Sequence, residues 1–218
     1  MPEKNQTKRF LFRAGPRIAE EILDLVGQTP QSAEIRLANP ENRLREISRA
    51  AARRAAVTAG GLTLPPGPLG WLTLLPELRG LWSLQTQLVA DIAACYGKSH
   101  KLGRAEMIYC LFRHTDAQTI RGQLTQLGRR EIVERTAQPD LPALALKIGL
   151  HISQRLLGKG LSRFVPVFGA LGAGAYAYFD TSQVANTACE FFRDVIDIEG
   201  EQLSPDDVHP QRRFGPGG

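Results

Sequence analysis

A stretch of 22 consecutive residues without a charge, Ala55 to Pro76, constrains this chain more than any other feature. As one helix that length would reach across the hydrocarbon of a bilayer, which takes about 20 apolar residues. Its interior, however, holds Pro65, Pro66 and Pro68 among Gly60, Gly61, Gly67 and Gly70. Proline removes a backbone donor and glycine loosens a helix, so a single spanning helix is not expected. The expected form is a tight bend at the prolines followed by a short apolar segment, Leu69 to Leu75. That segment is either core or a shallow insertion that sets Trp71 and Leu72 against lipid or a partner helix. A second chargeless run, Phe164 to Phe179, lies between Arg163 and Asp180 and contains Pro166, Gly169, Gly172 and Gly174. It is too short to span comfortably, and Phe168 is its counterpart contact residue.

Everything around these runs has helical period. Pro16 is expected to open a helix through Ile18, Ile22 and Leu25 to a stop at Gly27. After Asn39-Pro40 a second helix runs to Gly60-Gly61, with Leu44, Ile47, Ala51 and Ala55 on one face and Arg45, Arg49 and Arg53 opposite. From Pro76 to Tyr96, Leu78, Leu81, Trp82, Leu88, Val89, Ile92 and Ala93 recur at three- and four-residue spacing, and Gly97 supplies the stop. The opposite face of that helix is polar but scarcely charged, so it is expected to pack on both sides. Residues 102–135 read as one or two helices with Ile108, Leu111, Ile120, Leu124 and Leu127 as core. Further helices are expected over Pro142–Leu157 and Thr181–Ile198. Strand alternation is absent, so the class is all-α: a compact multi-helix bundle with two Pro/Gly-broken apolar helical hairpins. Residues 1–199 form one helical domain, with residues 1–54 as its basic N-terminal part, and residues 200–218 read as a disordered tail. The two chargeless runs also echo one another, each leading through a proline and a lone acid into a Gln-bearing helix.

The formal charge of +5 divides unevenly: +9 over residues 1–189 and −6 over residues 190–207, where Arg193 is the only base. A basic face suits an anionic membrane, an acidic partner or nucleic acid. The Arg43–Arg54 stretch is interleaved with Ala, Leu and Ile rather than with aromatics or Gly, which argues against nucleic acid. Three cysteines without a CxxC pair argue against a disulfide framework and for a reducing compartment. The start of the chain lacks a sustained apolar core and does not read as a secretory signal.

Catalytic patterns are scarce. The chain has no GxxxxGK[ST] loop, HExxH or GxSxG, and no cofactor or metal site is expected from it. The sharpest pair is Cys110 with His114, spaced to share a helix face as a thiol and its base. Glu190, Asp194 and Asp197 form an acidic helix face, read as solvated rather than metal-binding.

The segments LPELRGLWSLQTQLVADIAACYGKS and VPVFGALGAGAYAYFDTSQVANTACEFF, with MIYCLFRHTDAQ between them, resemble the EcsC protein family over roughly residues 45–195. Members carry an apolar Pro/Gly-rich segment, a proline-led helix ending in Tyr-Gly, and a later Pro-Val run rich in Gly and Ala. The family is named for a bacterial protein encoded beside an ABC transporter linked to secretion. The resemblance brings no catalytic residues. It marks Pro76, Gln85, Tyr96, Gly97, Pro166, Gly169 and Asn186 as signature positions. The family's activity is not established, and the resemblance implies only a setting of transport or secretion. With the basic Arg43–Arg54 helix meeting headgroups and the apolar pieces near Trp71 and Phe164–Phe179 inserting shallowly or packing on partner helices, the chain is expected to be a cytoplasmic, peripheral accessory or regulatory component at the inner membrane face or in a membrane-protein complex. Two other readings remain open: a helical enzyme using Cys110 and His114, and a soluble protein-interaction module.

Overall fold

The chain's structure is a computed structural model. It describes the backbone of residues 2–61, 70–114, 140–159 and 166–201, and the side chains of residues 14–59, 76, 78–114, 140–154 and 172–194. Among these residues there are six α-helices and no strand: α1 (Pro2–Gly27), α2 (Glu41–Gly61), α3 (Gly70–Cys95), α4 (Arg104–Phe112), α5 (Leu141–Lys159) and α6 (Pro166–Glu201). The all-α expectation is met. The expected core residues Ile120, Leu124 and Leu127 and the tail beyond residue 201 lie outside the described residues.

The periodic apolar positions become the core. Ile18 and Ile22 of α1, Leu44 and Ala55 of α2, and Val89, Ile92 and Ala93 of α3 are buried, as are Val184, Ala188 and Phe191 of α6. Thr86, Ala90 and Ala94, on the second face of α3, are buried as well. This two-sided burial makes α3 the central element, packed against α1, α2, α4 and α6. Around it, α1 lies along α5 and α2 lies along α6. Trp82 and Phe112 meet edge to face at 5.7 Å, and Tyr109 and Phe191 stand 5.4 Å apart, so aromatic contacts join α4 to both α3 and α6.

Three helix starts differ from the sequence expectation. Pro16 and Pro76 lie inside α1 and α3 rather than opening them, and Pro166 opens a helix that continues unbroken past Thr181. A proline inside a helix leaves the carbonyl four residues earlier without its donor. Both Pro16 and Pro76 are exposed, on faces where solvent can approach. Residues 70–76 of the first chargeless run and 166–179 of the second therefore belong to long helices instead of separate short segments, residues 55–61 finish α2, and the bend expected at Pro65, Pro66 and Pro68 lies outside the described residues.

The helix ends follow local chemistry. Beyond α3, Gly97 adopts φ +72°, its N–H donates to the Ala94 carbonyl, and Lys98 N–H reaches the Ala93 carbonyl. This is a Schellman closure, in which glycine takes the left-handed conformation without a Cβ penalty. Asp140 caps α5 by accepting from the Ala143 N–H at 3.1 Å.

The α1–α5 crossing depends on two small residues. A Cβ on Gly149 would collide with the Gly15 carbonyl and crowd the Ala19 nitrogen, so the two backbones meet with nothing between them. Gly149→Ala should therefore force the helices apart and cost about 1–3 kcal/mol, the usual range for overpacking. Urea unfolding measures this, and an unchanged midpoint would contradict the close crossing.

Candidate functional site

The segment between α1 and α2 has no regular structure and is held down by side chains of α3. Ser32 Oγ donates to Asp91 Oδ1 at 2.7 Å, and Gln87 donates both to Asp91 at 2.9 Å and to the Gln31 carbonyl at 3.1 Å. Further on, Leu37 N–H donates to the Cys95 carbonyl at 3.0 Å. Arg43 of α2 grips Glu34 with two parallel bonds, from Nη2 at 2.6 Å and Nε at 3.0 Å, and this pairing holds the Glu34 carboxyl below its ordinary pKa. The segment thus travels alongside α3 and delivers α2 to the far end of that helix.

At that end Arg36 lies across Gly97, where a Cβ would come within 2.6 Å of its Cδ. The side chains of Tyr96 and Arg193 come together there in the cleft wall, joining the end of α3 to α6. Between the linker, α2 and α6 opens a cleft of about 900 Å³. Four guanidinium groups line it, from Arg36, Arg45, Arg49 and Arg193, against the single carboxylate of Glu41. Ser48 and Asn186 add neutral donors, the Ser182 hydroxyl donates to the Tyr178 carbonyl at 2.8 Å, and Leu37, Leu44 and Ala185 supply apolar wall. Elsewhere Arg43, Arg79 and Arg113 spend their charge on carboxylates. Cys189 also lines the cleft, where burial pushes its thiol up to about 11 and keeps it protonated. Burial, with Glu34 nearby, does the same to Cys95.

A buried polar cluster sits along the α3–α6 seam. Gln85, only 1% exposed, donates to Asp180 Oδ2 at 2.8 Å and to Thr181 Oγ1 at 3.2 Å. His114 Nε2 meets Asp180 Oδ1 at 2.8 Å, while its Nδ1 is buried without a hydrogen-bond partner. The two oxygens of Asp180 are thereby divided between an amide and an imidazole. Gln85 near Asp180 and Tyr96 near Arg193 make α3 and α6 parallel neighbours, so their chargeless first turns lie toward one end. Because α2 begins beside Tyr96 and packs along α6, it runs antiparallel and ends toward that same place.

The sequence-selected residues separate into distinct places. Arg45 and Arg49 enter the cleft wall, and with Arg53 they also border an open groove on the outer side of α2. Tyr96 and Asn186 line the cleft, and Gly97 supports Arg36 beside it. Gln85 is in the seam, and Pro76 is exposed on α3. Cys110 is fully buried in α4, while the His114 imidazole is turned to Asp180. Glu190 of the acidic face pairs with Arg113 at 2.7 Å. Trp71 and Leu72 of α3, and Pro166, Phe168 and Gly169 of α6, have side chains outside the described residues.

Sequence reasoning passed over Arg36, Arg193 and Asp180. Two of them carried a signal: Arg193 is the only base in an acidic segment, and Asp180 is the first charge after 16 uncharged residues. Arg36 had none, because its linker lacks periodicity.

Removing the shared acid tests the seam. Asp180→Ala leaves His114 and part of the Gln85 amide unpaired and should cost about 1–3 kcal/mol. Adding Gln85→Leu should recover part of that loss, since deleting both partners is milder than orphaning one. Chemical unfolding of the single and double variants reads it, and wild-type stability in Asp180→Ala would refute the cluster's structural role.

The EcsC protein family matches residues 17–194, so the likeness reaches back through α1 and the linker and beyond the span suggested by the motifs. No curated protein and no solved structure is significantly similar to the chain.

Proposed function

The chain belongs to the EcsC protein family, and from that premise we propose that it is an accessory protein working peripherally on an anionic membrane face. The observation that carries this reading is a surface combining unpaired guanidinium groups with exposed aromatic rings. Arg45, Arg49 and Arg53 are exposed along α2 and make no ion pair among the described residues. On α6, Tyr176, Tyr178 and Phe179 are 51%, 41% and 61% exposed. Tyr178 shares the cleft with Arg45 and Arg49, so cation and ring are neighbours.

Membrane interfaces favour this combination, with rings at headgroup depth and cations beside phosphates. No described helix is long and apolar enough to cross a membrane, so the proposed attachment lies on the surface. The course of α2 carries its last turns, with Arg53 and Val57, toward the end where α3 and α6 begin. Such a surface would dock the protein at the inner face of a membrane or beside a membrane complex, in keeping with a role in transport or secretion.

Each arginine near an anionic surface contributes about 1 kcal/mol, so removing three should weaken binding by about a hundred-fold. Flotation with phosphatidylglycerol-containing vesicles at low salt should carry the wild-type protein upward. Neutral vesicles or high salt should leave it behind. The triple variant Arg45→Gln, Arg49→Gln, Arg53→Gln should stay in the dense fraction under all conditions. Wild-type protein that never floats with anionic vesicles would end the membrane reading.

A further inference from the structure

We propose that the cleft between α2 and α6 is a binding site for a phosphate ester, taken either from a lipid headgroup or from a free organic phosphate. Four guanidinium groups facing one cavity with a single carboxylate leave an excess of positive charge on its walls. None of the four makes an ion pair among the described residues. Guanidinium groups match phosphate oxygens through paired donors, and the hydroxyl of Ser48 can supply a further donor to the same oxygens. A carboxylate ligand would need fewer donors than the cleft offers.

Two of the arginines have a protein neighbour beside the cleft. The Arg36 stem lies over Gly97, and Arg193 interacts with the Tyr96 side chain. Restrained donors lose less freedom on binding than free surface side chains do. The volume, about 900 Å³, far exceeds one inorganic phosphate and leaves space for the organic part of an ester. Leu44 and Ala185 provide apolar surface for that part.

This site is separable from the membrane reading, because Arg36 and Arg193 do not belong to the α2 row. Titration calorimetry with sn-glycerol 3-phosphate probes the free ester. Flotation with vesicles containing phosphatidic acid, against phosphatidylglycerol at equal charge, probes the headgroup source. The wild-type protein should bind glycerol 3-phosphate, or prefer phosphatidic acid at least five-fold, and the arm that responds identifies the source. Arg36→Gln and Arg193→Gln should each weaken that response ten-fold or more, with circular dichroism verifying that the helices are intact. Arg193→Lys, which keeps charge but loses the paired donors, should recover only part of it. Absence of both responses in wild-type protein overturns the proposal, as does a response undiminished in the folded glutamine variants. Flotation on phosphatidylglycerol without either response would leave the membrane reading standing and remove this one. Ester binding without flotation would do the reverse.

Discussion

A buried amide has to find a partner, and the Gln85 side chain finds it on Asp180 and Thr181. An unpaired amide in that position would cost about 1–3 kcal/mol. Apolar faces alone would leave α3 free to slide along α6, since one small apolar residue substitutes readily for another. The hydrogen bonds remove that freedom and set the register of the two helices. With register fixed, Tyr96 arrives opposite Arg193 and the first turns of both helices lie toward one end. Cleft and apolar end therefore both depend on this one pairing, and Tyr178 of the second chargeless run reaches the cleft wall.

The cleft needs a second constraint, the course of the linker. Asp91 collects Ser32 and Gln87, and Glu34 is gripped by Arg43, so the linker reaches the end of α3 at a defined place. Only then does Arg36 come to rest over Gly97. The glycine serves both roles at once: its positive φ closes the helix, and its missing Cβ admits the arginine stem. A Tyr-Gly pair at this position thus has a physical meaning, with the ring beside Arg193 and the glycine supporting Arg36.

Helix type and helix burial were legible in the sequence because they follow from period. Ile18, Ile22, Leu44, Val89 and Ile92 fall where their spacing puts them, and Gly27, Gly61 and Gly97 mark or closely follow helix ends. Prolines were the least reliable guide to boundaries. Pro16 and Pro76 suggested starts, yet exposed faces let their helices continue through them. Long-range pairings were not legible at all. Nothing local links Gly15 to Gly149, or Ser32 to Asp91, because their complementarity exists only after the helices meet. The site shows the same division. Arg45 and Arg49 stood out by helical spacing, whereas Arg36 and Arg193 joined them only through tertiary placement. The internal echo between the chargeless runs gains a physical counterpart, because α3 and α6 lie side by side and parallel.

The proposed membrane contact is the end of the molecule where α2 finishes and α3 and α6 begin. Depth measurement with nitroxide labels tests it most directly. Cys95 and Cys110 are buried and burial keeps the Cys189 thiol protonated, so introduced cysteines can be labelled selectively at neutral pH. Labels at Val57→Cys and Phe179→Cys, both at exposed positions, should gain access to oxygen and lose access to a water-soluble nickel chelate on phosphatidylglycerol vesicles. A label at Ser99→Cys, beyond the opposite end of α3, should remain aqueous. Labels that stay equally aqueous at all three positions on vesicle-bound protein would contradict the account.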